Sequence, residues 1–226
     1  MILSKIRAGL RPIRRALQLN PDRFLKKVHG VIHVGANHGQ ERELYEIHNL
    51  NVLWIEPIPE VFDQLKTNIA NHPKQRALQA LITDVDDKDY DFHIANNGGA
   101  SSSLLDLKLH KDLWPGVEYT ATTTLKSCTL TTLLKREQID INAYNALIMD
   151  TQGSELMILK GALSLLDHFE YIQVEVPDFE SYESCCQQPE MSTFMTEHGY
   201  REWSRSKFAS RAEGGSYFDI IYKKRR

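Results

Sequence analysis

The chain has 226 residues, enough for one sizeable domain rather than two. Its 27 basic and 30 acidic residues leave a net charge of −3, which gives no whole-protein pull toward nucleic acid. Hydrophobic content of 42% and charged content of 25% are those of an ordinary globular protein, which excludes a disordered or fibrous chain.

Cys128, Cys185 and Cys186 make neither a disulfide framework nor a CxxC zinc pair, and they read as free thiols of a reducing, cytoplasmic compartment. No apolar run approaches the roughly 20 residues of a membrane span, and a secretory signal is not expected.

The predicted elements begin with residues 1–19, which hold Lys5, Arg7, Arg11, Arg14 and Arg15 and no acid. Ile2, Leu3, Ile6, Leu10, Ile13 and Leu17 recur there at helical spacing. Such a basic amphipathic segment is expected to pack on the domain with its charges in water; the alternative is peripheral contact with an anionic membrane. Residues 1–27 are therefore set apart from a domain over 28–226.

Asn20-Pro21-Asp22 is a helix-start signal, so a short helix is expected over 21–27. "VHGVIHV" (28–34) suits a buried parallel strand. "GQERELYEIHN" (39–49) reads as a helix with Leu44, Ile47 and His48 on one face. "NVLWIEP" (51–57) is a second strand, stopped by Pro57. "PEVFDQLKTNIANHP" (59–73) is an amphipathic helix whose Val61, Phe62, Leu65 and Ile69 share a face. "RALQALI" (76–82) is a third strand. This β-α-β-α-β rhythm with short connections predicts a parallel sheet with helices on both faces.

Residues 90–130 depart from the rhythm. "YDFHIAN" (90–96) and "VEYTATTTLKSCTL" (117–130) read as extended segments around the Gly/Ser loop "NNGGASSSLLD" (96–106), an insertion where substrate loops tend to lie. The rhythm then resumes with a helix at 129–138, a buried strand at 145–150, a helix at 154–168 with Ser154 as cap, a strand at 171–177 and a helix at 190–200 closed by Gly199. The last two strands, 200–206 and 216–224, are joined too tightly for a crossover helix and are predicted to be antiparallel.

In open parallel sheets, ligands bind beyond the carboxyl ends of the strands. Here Gly35 lets the first strand turn, and Asn37 stands at the second position of a glycine fingerprint, tolerating positive φ better than other side chains. Glu56, at the end of the second strand, can accept hydrogen bonds from both ribose hydroxyls of an adenosine. Two cofactors meet these requirements. A nicotinamide dinucleotide needs G-x-G-x-x-G for its pyrophosphate, and only Gly35 of Gly35, Asn37 and Gln40 satisfies it. S-adenosylmethionine carries no phosphate and tolerates side chains there.

The stretches "VIHVGANHGQ", "WIEPIPEVFDQLKTN", "SSSL", "LIMDTQGSELMILKGA" and "YIQVEV" resemble successive motifs of the FkbM-type methyltransferases, over about residues 28–223. The resemblance implies a class I, Rossmann-like α/β sandwich: a mostly parallel seven-stranded sheet with an antiparallel last strand. It implies S-adenosylmethionine as cofactor and methylation of a hydroxyl on a sugar, glycan or related natural product. It places Gly35, Ala36, Asn37 and Gly39 around the methionine part of the cofactor and Glu56, with Pro57 beside it, at the ribose. It brings Asp84 toward the adenine and Ser102 into a loop closing over the site. Two residues are off-pattern: His33 stands where an acid is usual, and Gln152 where a glutamate is usual. His33 either reaches the cofactor through a water or is simply buried.

A sugar hydroxyl has a very high pKa, so a base or a metal must help remove its proton. Asp150 and Glu175 end adjacent strands, where paired carboxylates can hold one Mg2+ with Gln152 as a neutral ligand; alternatively, Asp150 alone is the base. Glu155 reads as a first-turn acid, His38, His93 and His110 as further candidate bases, and Trp114, Tyr119 and Trp203 as candidate sugar-stacking rings. The rival functions are a cofactor-binding protein without turnover and an NAD-dependent oxidoreductase.

Overall fold

The structure, a computed structural model, describes residues 21–225. The basic amphipathic segment 1–19, with both of the placements expected for it, lies outside the described residues. In chain order the strands are β1 (Gly30–Val34), β2 (Asn51–Glu56), β3 (Gln75–Gln79), β4 (Leu81–Ile82) and β5 (Asp89–Ala95). They continue as β6 (Tyr119–Cys128), β7 (Ala146–Met149), β8 (Tyr171–Pro177), β9 (Tyr200–Ser210) and β10 (Ser216–Lys224). The α-helices are α1 (Arg42–Ile47), α2 (Pro59–Ile69), α3 (His110–Leu113), α4 (Leu130–Arg136), α5 (Glu155–Gly161) and α6 (Gln188–Glu197). Pro21–Lys27, Ile141–Ala143 and Leu163–His168 are 3-10 helices.

The main sheet has seven strands in the order β3-β2-β1-β7-β8-β10-β9. Its members from β3 to β8 pair in parallel, and β10 runs antiparallel to both β8 and β9. The order reverses between β1 and β7, which opens a crevice at their carboxyl ends.

Both sheet faces are covered, which is why the central strands read as continuous apolar runs. Ile32, Val34, Leu53, Ile55, Leu147, Met149, Ile172 and Val174 pack on one side under α4, α5 and α6. Val31, Val52, Trp54, Ala146 and Ile148 pack on the other, under Tyr45 of α1, Leu65 and Ile69 of α2, and Phe24 and Leu25 of the first 3-10 helix. Burying a single side chain of this size contributes about 1.5–3 kcal/mol.

Local chemistry sets the helix ends. Thr129 accepts from the Thr132 N–H at 3.1 Å and caps α4. Pro59 supplies the fixed φ of the first turn of α2, and Gly199 closes α6 at φ +82°. Ser154 does not cap α5: its hydroxyl donates to the Thr151 carbonyl at 3.3 Å. On α1 the buried residue is Tyr45, while Ile47 is 79% exposed, so the expected apolar face is rotated.

The run 76–82 is two strands rather than one. β3 stays in the main sheet, and after Ala80 the chain enters a second, three-stranded sheet of order β4-β6-β5. β5 and β6 pair antiparallel there, and β4 lies parallel to the end of β6.

Candidate functional site

The loop after β1 makes three left-handed residues in five, at Gly35 (φ +78°), Asn37 (φ +47°) and Gly39 (φ +67°). The sequence allows this because two are glycine and the third is Asn. Gly35 is also a point of close approach: a Cβ there would lie 2.0 Å from the Asp150 carbonyl oxygen. The turn is thereby pressed against the end of β7.

Glu56 sits opposite. Its Oε2 accepts the Asn37 N–H at 2.8 Å and its Oε1 accepts the Ile58 N–H at 3.0 Å. Tying Ile58 at the start of α2 also fulfils the helix-start role an acid here can play. The turn at Gly98 and Gly99 lies across this corner, with Asn37 Nδ2 donating to the Gly98 carbonyl at 3.2 Å. A Cβ on Gly99 would touch Ile58 and Val61 at 3.2 Å. Glu56 is left 4% exposed, and burial pushes its carboxyl up to about 7 against the opposing pull of its two N–H donors. Ala36 is buried, and Pro57, half-buried, accepts at its carbonyl from Gln79 Nε2 at 3.4 Å.

Asp150 and Glu175 are brought together. Asp150 follows β7 and its N–H donates to Val34; on β8, Val174 is level with Met149, which puts Glu175 level with Asp150. Gln152 links the two carboxylates. Its Nε2 donates to Asp150 Oδ1 at 2.5 Å and to Glu175 Oε1 at 3.3 Å. Its Oε1 accepts the Tyr182 hydroxyl at 2.8 Å. Gln152, expected as a neutral oxygen ligand of Mg2+, here turns its NH2 toward the two acids and its oxygen toward Tyr182. Among the described residues no group of three or more His, Cys, Asp and Glu side chains is gathered for a metal.

Behind this corner Glu155 is 2% exposed. Its carboxylate accepts the Thr151 N–H at 2.8 Å and the Gly153 N–H at 3.1 Å, so it shapes the 151–153 turn. Burial pushes this carboxyl up to about 7 as well. Ser103 Oγ donates to the Gln152 carbonyl at 2.9 Å, and Ser102 Oγ accepts the Ala95 N–H at 3.0 Å. The serine loop therefore fastens the insertion to the site, with Ser102 serving the end of β5.

His33 takes the second of its two expected readings and is buried: its Nδ1 shares a hydrogen bond with the Tyr45 hydroxyl at 3.0 Å, and its ring stacks on Trp54 at 4.9 Å. One placement is corrected. Asp84 is exposed beyond the small sheet, with its Cα beside Gly161 at the far end of α5. Gln79 holds the end of β3 in its place, and the uninterrupted run 76–82 hid that.

Sequence reasoning also missed Tyr182 and Asp219. Asp219 is the cross-strand partner of Glu175. Of the candidate bases, His110 is 1% exposed, with its Nδ1 at the Tyr217 hydroxyl. His93 stacks on Tyr119 and shares a hydrogen bond with Thr122, and burial lowers the pKa of His38. Trp203 packs on Tyr171, on the His33 side of the sheet. Trp114, His110, Tyr182 and Tyr217 make one aromatic wall leading to Gln152.

A comparison with protein families matches the methyltransferase FkbM domain over residues 33–202. The chain belongs to that family. An FkbM-domain chain is thereby expected to have the class I methyltransferase fold, and the sheet order and antiparallel β10 agree with it. The METTL16 methyltransferase domain matches 88% of this chain and 60% of its own at TM-score 0.52 and 10% identity. An uncharacterised protein of Listeria monocytogenes serotype 4b matches 92% and 69% at TM-score 0.51 and 8% identity. At such identities the FkbM-domain chain shares their fold and nothing finer. A comparison with curated proteins gave no match. No helix among the described residues is long and apolar enough to cross a membrane.

Proposed function

We propose that this protein transfers the methyl group of S-adenosylmethionine to a hydroxyl of a sugar-containing molecule or related natural product. The single observation that carries the reading is the close approach of Gly35 to the Asp150 backbone, which sets the end of β7, where Asp150 stands, directly beside the left-handed turn. The corner fits the cofactor. Glu56 accepts two backbone N–H groups, and a carboxylate has about four acceptor positions, so two remain for ribose hydroxyls.

When bound, the cofactor supplies a methyl group activated by its sulfonium. Asp150 accepts the acceptor hydroxyl's proton, and Gln152 fixes the rotamer from which it does so. The turn at 35–39 and the serine loop hold the reacting groups in line and exclude water, where positioning contributes most of the rate. Trp114, partly exposed and backed by the buried Tyr217, offers a sugar acceptor an apolar face with a polar edge.

A mass-spectrometric screen of sugar and polyketide acceptors, scored for the gain of one methyl, tests this. Methylation at a hydroxyl that is lost in Asp150→Asn supports the reading; methylation only at nitrogen or carbon overturns it. Saturable binding of S-adenosylhomocysteine without binding of NADH separates the reading from an oxidoreductase.

A further inference from the structure

We propose that the side-chain amide of Gln152 occupies the place a divalent cation would need between Asp150 and Glu175, so that this site works without one. The inference rests on the reading of this corner as the acceptor side of the site. Two carboxylates facing one point need a positive charge, a proton or a hydrogen-bond donor between them. Here the donor is one nitrogen, Nε2, which donates a hydrogen bond to each acid, at 2.5 and 3.3 Å.

The orientation of the amide follows from its neighbours. The Tyr182 hydroxyl donates to Oε1 at 2.8 Å, and burial raises its pKa, which keeps it a donor. Turning the amide over would aim its oxygen at two carboxylates, which have no hydrogen to give it, whereas the Tyr182 hydroxyl could pair with either end of the amide. Gln152 is held elsewhere too. Its backbone is left-handed at φ +57°, its carbonyl accepts from Ser103, and the residue is 6% exposed. Mg2+ or Mn2+ would instead require oxygen ligands at about 2.0–2.2 Å on every side. Gln152 is thus a positioning residue: it fixes Asp150 and Glu175 relative to each other and adds no charge.

Mn2+ titration followed by electron paramagnetic resonance tests this on the full chain, with S-adenosylhomocysteine calorimetry as a check of folding. Wild type is expected to bind no Mn2+ at this corner up to about 1 mM. Gln152→Glu is expected to gain one site that Asp150→Asn removes. Should Gln152→Glu fail to fold, Gln152→Ala is read instead, with a weaker Asp150-dependent gain expected. Wild-type Mn2+ binding that Asp150→Asn abolishes overturns the proposal. So does the absence of any gain in a folded variant, or loss of wild-type turnover in EDTA. The Mn2+ readings involve no methyl transfer, so they fail or succeed separately from the acceptor assignment.

Discussion

Asn37 and Glu56 hold each other across the gap between β1 and β2, backbone N–H to carboxylate, at 2.8 Å. The bond lies inside the left-handed turn, where Asn37 takes φ +47°. The same acid is nearly sealed from water, and the first predictions follow from that.

Burial pushes Glu56 and Glu155 up to about 7, above the ordinary 4.5 of a glutamate. A raised carboxyl pKa means that the folded chain holds the proton more tightly. The stabilisation is complete below about 4.5 and is lost as pH rises through about 7. Each group alters stability by about 3 kcal/mol over that window. The urea midpoint should rise as pH falls from 8 to 6, and Glu56→Gln should flatten part of the slope. A midpoint that falls over this range contradicts the assignment.

Cofactor binding should release a proton near pH 7. Ribose hydroxyls donating to Glu56 favour its charged form. Calorimetry of S-adenosylhomocysteine in two buffers of different ionisation enthalpy should give different heats, and Glu56→Gln should make them equal. Equal heats in the wild type would show that Glu56 does not meet the cofactor.

Gly35→Ala should destabilise by about 3 kcal/mol or more, since a Cβ would lie 2.0 Å from the Asp150 carbonyl oxygen at φ +78°. Chemical denaturation measures it. A loss under about 1 kcal/mol would mean that the ends of β1 and β7 separate easily.

Asp150→Asn should lower kcat by about 10²–10⁴-fold, the usual contribution of a positioned base. The affinity for S-adenosylhomocysteine should stay within about threefold, because Asp150 is proposed to act on the acceptor. Full activity in this variant removes Asp150 from the mechanism.

Asn37→Gly keeps the left-handed turn and its N–H but deletes the side-chain bond to Gly98. One such bond contributes about 1 kcal/mol, so hydrogen exchange at Gly99 and Ser102 should speed up about fivefold. Unchanged exchange would mean that the turn at Gly98 and Gly99 is held by its apolar contacts alone.

The sheet was legible because its central strands are buried on both faces and its helices repeat at their own period. The left-handed turn was legible because Gly, Asn and Gly are the residues that accept it. His33 was not. On a strand buried on both sides, neighbouring residues face opposite cores, and nothing in "VIHV" says which face meets the ligand. The break at Ala80 left no signal, since Ala interrupts no apolar run. The partner of Gln152 was hidden for another reason: Tyr182 is 30 residues away, in an irregular segment between β8 and α6 that has no period to read.

The two-residue strand β4 has a consequence for how this chain can vary. Leu81 and Ile82 lie beside Ser127 and Cys128, so the chain leaves for the small sheet and returns from it through one clasp. Everything between is a closed excursion with its entrance and exit pinned together. Such an excursion can be lengthened, shortened or grafted from a relative without re-threading the seven-stranded sheet.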